Sequence, residues 1–356
     1  MKKRIGDICT FFGGFTPSAS ELYPDGKYPY FKVAEMNRET NLKIMSDTDS
    51  YVRESRRFFP KGSIVFPKNG AAIATNKKRI LGQDSIVDLN TGGVIPQSGV
   101  VSSEYLYYVF QHLDFSKYTR RGAVPTLDTN ALKLIEINVP SLDEQEQITA
   151  QLNLIYSIVE NKRVQLSCLD TLAQTLFFEL FGDPFVNEKG WDKLNFEKCI
   201  QKVKYTTKLQ SKDYKNEGRF PIISQEEEYI SGYWDNELDV FKVNKPVVIF
   251  GDHSRVLKYV PFDFVLGADG VRILSPNDFV EPWYLFYYIK ACKIPSLGYS
   301  RHYKLLKELE VSVPPLELQR QFSKTISDIE VNKNQIKNSI REVETLFNSR
   351  MDFWFN

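Results

Sequence analysis

The chain has 356 residues, 42% hydrophobic and 26% charged, with a formal net charge of +1. That is a globular composition with room for about two to three domains. The near-neutral balance excludes a chain that coats nucleic acid by bulk charge, and no run reaches the roughly eighteen apolar residues a membrane span needs.

Met1-Lys2-Lys3-Arg4 is basic, but Asp7 interrupts the apolar stretch that follows, so it is not a signal peptide. Phe11-Phe12-Gly13-Gly14-Phe15 has the wrong spacing for a glycine-rich cofactor loop, and no acidic residue follows appropriately. Short strand-like runs follow, Gly62-Ser63-Ile64-Val65-Phe66-Pro67 and Ala71-Ala72-Ile73-Ala74, broken by Lys68-Asn69-Gly70. With 19 tyrosines and 25 phenylalanines in the chain, residues 1–139 read as an α+β region with a curved, mainly antiparallel sheet.

That region closes on LKLIEINVP at 132–140, which alternates like a half-buried strand. Ser141-Leu142-Asp143-Glu144 is a capping box. Beyond it Ile148, Leu152, Ile155, Val159, Lys162, Leu166, Leu169, Ala173, Leu176 and Leu180 recur four and three apart until Gly182 and Pro184 stop the helix. A helix over about 142–181 spans roughly 60 Å.

Residues 183–312 repeat the first region's character, with Pro246-Val247-Val248-Ile249-Phe250 leading into Gly251-Asp252-His253-Ser254-Arg255. They end on LKELEVSVP at 306–314, an offset of 174 from the first such segment. Upstream, Tyr105-Leu106-Tyr107-Tyr108 is echoed by Tyr284-Leu285-Phe286-Tyr287. Pro315 sits where a first-turn proline belongs. Phe322, Ile326, Ile329, Lys333, Ile336, Ile340, Val343, Phe347, Arg350 and Trp354 then repeat the first seam at the same offset.

Duplication is the economical explanation. Four–three spacing sustained over so many turns predicts coiled-coil helices. Each seam needs a partner, and the other copy is the nearest. A pseudo-two-fold axis makes the pair antiparallel, and the seam lysines Lys162 and Lys333 help to fix its register. The expected fold is therefore α+β: two similar globular domains, 1–139 and 183–312, separated by two long antiparallel coiled-coil helices, 140–182 and 313–356.

The chemistry-bearing residues lie mostly on loops. Arg56, Arg57, Lys68, Asn69, Lys77, Lys78, Arg79, Arg120 and Arg121 in the first region are types that hold phosphates and read base edges. So are Lys204, Lys208, Gln225, His253, Arg255, Lys258, Tyr299, Arg301, His302 and Lys304 in the second. His253 has Asp252 and Ser254 beside it, but sequence neighbours do not make a triad, and a loop histidine that bonds locally or touches nucleic acid is the better reading. The four cysteines, Cys9, Cys168, Cys199 and Cys292, are scattered. Neither a zinc nor a disulfide framework fits them, and they read as reduced thiols of a cytoplasmic protein. The chain has no phosphate-binding GxxxxGK[ST] loop, no Asn-Pro-Pro-Tyr or Asp-Pro-Pro-Tyr methyltransferase tetrapeptide and no metal-binding carboxylate pair with a following lysine. These absences point away from an enzyme, and no cofactor or metal is expected.

The arrangement resembles the specificity subunits of type I restriction–modification systems. Leu180-Phe181-Gly182-Asp183-Pro184 with Asn187 and Lys189-Gly190-Trp191 is similar to that family's junction between the central helix and the second target-recognition domain. Ile249 to Arg255, Lys258-Tyr259 and Gly267-Ala268-Asp269-Gly270-Val271 resemble a recurrent recognition-domain core, with Gly62-Ser63-Ile64-Val65 and Pro67-Lys68-Asn69-Gly70 as the looser counterpart. Val139-Pro140 to Gln145 and Val313-Pro314 to Gln319 match the starts of the family's helices. The resemblance implies a non-catalytic subunit that binds a bipartite target in double-stranded DNA. It also implies two methyltransferase (M) subunits and restriction/translocase (R) subunits as partners, and no membrane. The chain opens almost directly inside the first recognition domain, leaving little N-terminal arm for partner contacts. Two alternatives stay open on the residues alone: a stand-alone DNA-modifying enzyme and a coiled-coil protein scaffold.

Overall fold

The computed structural model describes residues 1–120, 122, 124–268, 270–298 and 300–356. The chain divides into two compact units, one of Met1–Asn161 with Ser339–Asn356 and the other of Lys162–Asn338.

In the first unit β1 (Lys2–Arg4), α1 (Ile5–Ile8), β2 (Cys9–Gly13), β3 (Tyr28–Phe31), β4 (Ile44–Met45), β5 (Tyr51–Val52) and β6 (Ile64–Pro67) follow in order. Then come β7 (Arg79–Leu81), β8 (Ile86–Val87), β9 (Thr91–Pro96), α2 (Ser103–His112), β10 (Thr119–Arg120), β11 (Thr126–Leu127), α3 (Thr129–Leu134) and β12 (Glu136–Asn138). A five-stranded sheet has the order β2-β9-β6-β7-β4, and a three-stranded sheet the order β5-β3-β8. Helix α2 lies against the larger sheet with Tyr105, Leu106, Tyr108 and Phe110 buried. The 40-residue α4 (Leu142–Phe181) begins in this unit. Its Ile148 and Leu152 share a core with Phe347, Met351 and Trp354 from the end of the last helix.

The second unit repeats the plan. Its elements are β13 (Lys193–Asn195), α5 (Phe196–Cys199), β14 (Ile200–Gln201), β15 (Phe220–Ile223), β16 (Gly232–Trp234), β17 (Val240–Phe241) and β18 (Val247–Gly251). These lead to β19 (Leu257–Val260), β20 (Phe264–Leu266), β21 (Val271–Pro276), α6 (Pro282–Ala291), α7 (Tyr303–Lys307), β22 (Glu310–Ser312) and the 40-residue α8 (Leu316–Phe355). Two four-stranded sheets form, β14-β21-β18-β19 and β16-β15-β20-β17. Ala173, Phe177 and Phe181 of α4 meet Phe322, Ile326 and Ile329 of α8 over α6. Phe322 stacks edge-on to Phe177 and Phe181, whereas Lys333, further along α8, reaches back to Asp170 at 2.7 Å. Within this unit the two segments therefore run in opposite directions.

The first long helix runs over the residues its spacing predicts, for local reasons, and the second runs over Leu316–Phe355. The Ser141 Oγ accepts the Glu144 amide at 3.3 Å, while Glu144 accepts the Ser141 amide at 2.9 Å, which satisfies donors a helix start leaves unpaired. At the other end Gly182 takes φ +78°, and its amide donates to Phe178 O, a conformation that costs glycine little.

Two expectations change. The run from Ala71 is a 3-10 turn over Ala71–Thr75 rather than a strand; Gly70 at φ +75° and Asn76 at φ +51° bend the chain at both ends. Each unit also has two sheets of three or more strands beside the two-stranded pairs β1-β12 and β10-β11 in the first and β13-β22 in the second, and β3–β8, β4–β7 and β15–β20 pair in parallel. The long connections between these partners leave room for a crossover.

A buried glutamine joins helix to domain in each unit. The Gln145 side chain accepts the Ser102 amide at 2.9 Å and donates to Val100 O at 2.9 Å and Pro140 O at 3.0 Å. Gln319 does the same with the Glu281 amide at 2.9 Å, Phe279 O at 3.1 Å and Pro314 O at 2.8 Å. In each unit one fully buried side chain thereby satisfies three main-chain groups around a helix start.

Candidate nucleic-acid interface

In each unit four connections meet at one edge. In the first unit these are the residues after β3 (Lys32, Val33), those after β6 (Lys68, Asn69, Gly70), the β8–β9 turn (Asp88, Leu89, Asn90) and residues 124–127 between α2 and α3. Main-chain hydrogen bonds stitch them: Asp88 N to Phe31 O (2.9 Å), Lys68 N to Asn90 O (2.8 Å), Gly70 N to Pro125 O (2.8 Å) and Leu127 N to Lys68 O (2.9 Å). In the second unit Gly267 N donates to Ile223 O (2.9 Å), Asp252 N to Gly270 O (2.7 Å) and His302 N to Asp252 O (2.8 Å). The same four connections converge there. A rigid edge of turns is a suitable mount for side chains that must meet a duplex in fixed register.

Several sequence candidates stand on these edges. Lys68 is half-buried with its stem against Gly92 and its ammonium beside Gly13. Arg57 is exposed, donates to Gly13 O at 2.8 Å and lies over the Phe15 ring. Asn69 is half-buried beside Asn90. Arg120 is exposed and pairs with Asp128 at 2.9 Å; the same hydrogen bond is the main reason the Asp128 carboxyl is pulled down to about 2. Arg56 is exposed on the β5–β6 connection, and Lys77 is half-buried with its ammonium on Asn37 Oδ1.

In the second unit Lys204, Lys208, Arg301 and Lys304 are exposed. Arg255 is also exposed, at φ +63°, and donates to Ile294 O at 3.0 Å. Gln225 accepts the His253 amide at 3.2 Å, and its own carbonyl accepts the Ser254 hydroxyl at 2.6 Å. The Ser254 hydroxyl is therefore committed to Gln225 O. Asp252 faces Arg272 (2.9 Å) and the Tyr303 amide (2.8 Å). Burial works against its ionisation, but these partners hold its carboxyl below the usual range. Arg121 and Tyr299, and Asp269 of the quoted glycine-rich segment, lie outside the described residues.

Four candidates are corrected because their polar atoms are used inside the protein. Lys78 is fully buried and donates to Leu113 O at 2.7 Å over the Phe115 ring; burial pulls its ammonium down to about 7. Arg79 is buried and donates to Lys78 O at 2.8 Å and Met36 O at 2.7 Å. Lys258 is buried on Ser224 O (3.0 Å) and Glu228 O, and burial pulls it down to about 8. His302 is buried with Nδ1 on Asp252 O at 2.9 Å and Nε2 accepting the Leu297 amide at 2.9 Å. That pattern assigns the neutral tautomer with its proton on Nδ1.

Arg79 and Lys258 occupy matching strand positions, paired in register with the core residues Val65 and Ile249. Both tether the connection that follows β3 or β15. They hold the edge in place from behind.

The sequence reading missed Asn90, which is exposed at the tip of the β8–β9 turn. Its signal was present: Leu89-Asn90-Thr91-Gly92-Gly93 is a turn between two apolar runs. Among the described residues no group of three or more His, Cys, Asp or Glu can hold a metal, and no helix is long and apolar enough to cross a membrane. The four cysteines are free thiols, three of them buried.

Comparison with known proteins adds to this geometry. A family model described as the type I restriction modification DNA specificity domain matches residues 1–167 and again 189–344. The type I restriction enzyme MjaIX specificity subunit of Methanocaldococcus jannaschii is 26% identical over 381 aligned positions, covering 92% of this chain and 86% of that one. The EcoR124I/EcoR124II specificity subunit of Escherichia coli is 22% identical over 160 positions, 41% of this chain and 38% of that one. Among solved structures, the S subunit of a type I system from M. genitalium superposes with a TM-score of 0.61 at 16% identity, covering 100% of this chain and 96% of that one. A chain from a structure concerned with complex assembly and conformational transition of the type I R-M system gives 0.55 at 17% identity, covering 99% and 96%. These two likenesses concern the fold.

Proposed function

The chain belongs to the type I restriction modification DNA specificity family and carries that domain twice, and from this premise we propose how its two halves divide the work. It is the DNA sequence-recognition subunit of a type I restriction–modification enzyme and is not itself catalytic. Each globular region, 1–139 and 183–312, reads one half of a split target through its four-connection edge. The exposed and half-buried candidates carry the contacts: Arg56, Arg57, Lys68, Asn69, Lys77, Arg120, Lys204, Lys208, Gln225, His253, Arg255, Arg301 and Lys304.

The helices 140–182 and 313–356 form the antiparallel coiled coil that sets the unread spacer. They also offer a surface to two methyltransferase subunits. Leu154, Val164 and Leu172 stay exposed along α4, and exposed apolar side chains on a helix suit a partner. Restriction/translocase subunits join for cleavage, and the work is done in the cytoplasm. The observation that carries this reading is the repeat itself: the same edge, built from the same connections, occurs once in each unit.

The test is a methylome of the source cells with and without the gene. Loss of adenine methylation at one split motif is expected, and an unchanged methylome would overturn the reading. Inserting one heptad into each long helix adds about 10 Å per helix. The spacer is then expected to grow by about three base pairs, with both half-sites unchanged.

A further inference from the structure

The first unit's edge encloses an open hollow of about 320 Å³ lined by Val33, Asn69, Gly70, Ala71, Asn90 and Val124. Two side-chain amides stand at its rim. Asn69 Nδ2 lies 3.4 Å from Asn90 Oδ1 and 3.5 Å from Leu89 O, contacts from which the amide orientations are assigned. One acceptor, Asn69 Oδ1, and one donor group, Asn90 Nδ2, are left facing outward with no hydrogen-bond partner among the described residues. Their backbones do not wander, because Asn90 O accepts from Lys68 N and Gly70 N is held by Pro125 O, both at 2.8 Å.

One donor beside one acceptor is the complement of one base edge. In the major groove adenine offers N7 as acceptor and N6 as donor, whereas guanine offers two acceptors, N7 and O6. Asn90 Nδ2 suits N7 of either purine. Asn69 Oδ1 accepts from adenine N6 but would confront guanine O6 acceptor to acceptor, at the cost of an unpaired polar group. The walls supplied by Val33, Ala71 and Val124 are apolar and suit the thymine methyl of the paired base.

The second unit provides an internal contrast. Gln225 stands at the position of Val33 and reaches across the equivalent space, where its Oε1 accepts the His253 amide. A Cβ on Gly270, at the position of Asn90, would meet that Oε1 at 2.5 Å. The same hollow is filled in one half and open in the other.

We propose that the open hollow reads one A·T base pair in the first domain's half-site, with Asn69 and Asn90 sharing the adenine edge. The inference rests on the specificity-subunit reading above. Its test uses the whole enzyme, with its methyltransferase partner, in cells free of other adenine methylation, and reads the methylated motif by sequencing. Asn69→Ala and Asn90→Ala are expected to relax one A·T position of one half-site, with discrimination there falling by about tenfold to a hundredfold. The other half-site and the spacer should not change. Val33→Gln, which closes the hollow as Gln225 does in the second unit, should alter the same position. Variants that keep every position of the motif at full stringency would overturn the assignment of the hollow alone. A wild-type enzyme that methylates no split motif would overturn the specificity reading on which it rests.

Discussion

The two halves of this chain differ at the outer side of β7 and its counterpart β19. In the first, β4 lies beside β7, with Ile80 N donating to Lys43 O and Gly82 N to Met45 O, both at 2.9 Å. Lys43 then reaches between α2 and α4, 3.5 Å from Glu104 and over the Tyr108 ring. In the second, β19 is the last strand of its sheet. Pro261 stands where Gly82 would donate, and the Tyr229 hydroxyl caps Tyr259 O. Beside it a cleft of about 530 Å³ remains between Tyr259, Trp283, Tyr287 and Lys337.

Proline and a side-chain cap are devices that keep a free strand edge from recruiting another chain. The contrast teaches that the repeat tolerates loss of a whole strand. What it keeps are the groups that satisfy buried backbone: the Gln145 and Gln319 brackets, and the buried cations Arg79 and Lys258.

The comparison is sharpened most by truncating matched core residues on the helices. Phe177 touches Phe181, Tyr284, Tyr287 and Phe322, while Met351 holds the matching place in the first unit's core. Phe177→Ala should cost about 3–5 kcal/mol, and Met351→Ala, from a range of about 2–5, the smaller amount, as measured by urea unfolding. Equal costs would break the view that the second unit leans more on its aromatic stack.

Next come the tethers. Arg79→Met and Lys258→Met should each cost about 2 kcal/mol by orphaning main-chain carbonyls, whereas Lys258→Arg should recover most of the loss. Arg79 and Lys258 are then interchangeable parts, and failure of the arginine to rescue would show that they are not.

A smaller effect is expected with pH. Burial lowers Lys78 to about 7 and Lys258 to about 8, below the unfolded lysine value near 10.4. Between folded and unfolded values the unfolded chain binds the extra proton, so stability rises with pH. The gain from Lys78 begins near pH 7 and that from Lys258 near pH 8, about 1 kcal/mol over the first unit of pH in each case. Lys78→Met should remove the earlier rise in melting temperature and leave the later one. The smallest effect is at the strand edge. Pro261→Thr with Tyr229→Phe should make the protein self-associate at high concentration, visible in light scattering, while the wild type stays unchanged.

Sequence alone determined what depends on near neighbours. The four–three spacing set both long helices, Ser141 and Glu144 set a start, and Gly182 set a stop. The segments LKLIEINVP and LKELEVSVP, lying at one offset, revealed the duplication. Helical and strand periods are local properties of a chain, so they are written in it directly.

Tertiary structure decided which charged residues face water. Lys68 and Lys78 look alike in sequence, but only Lys78 finds the Leu113 carbonyl and the Phe115 ring waiting in the interior. Arg79 and Lys258 are buried because Met36 and Glu228 bring carbonyls to them from distant segments. The hollow between Asn69 and Asn90 exists because the β6 and β8–β9 turns are pinned side by side through Lys68 N and Asn90 O. A buried cation or a shared base-reading edge needs partners from far along the chain, and only folding brings those partners within hydrogen-bond reach.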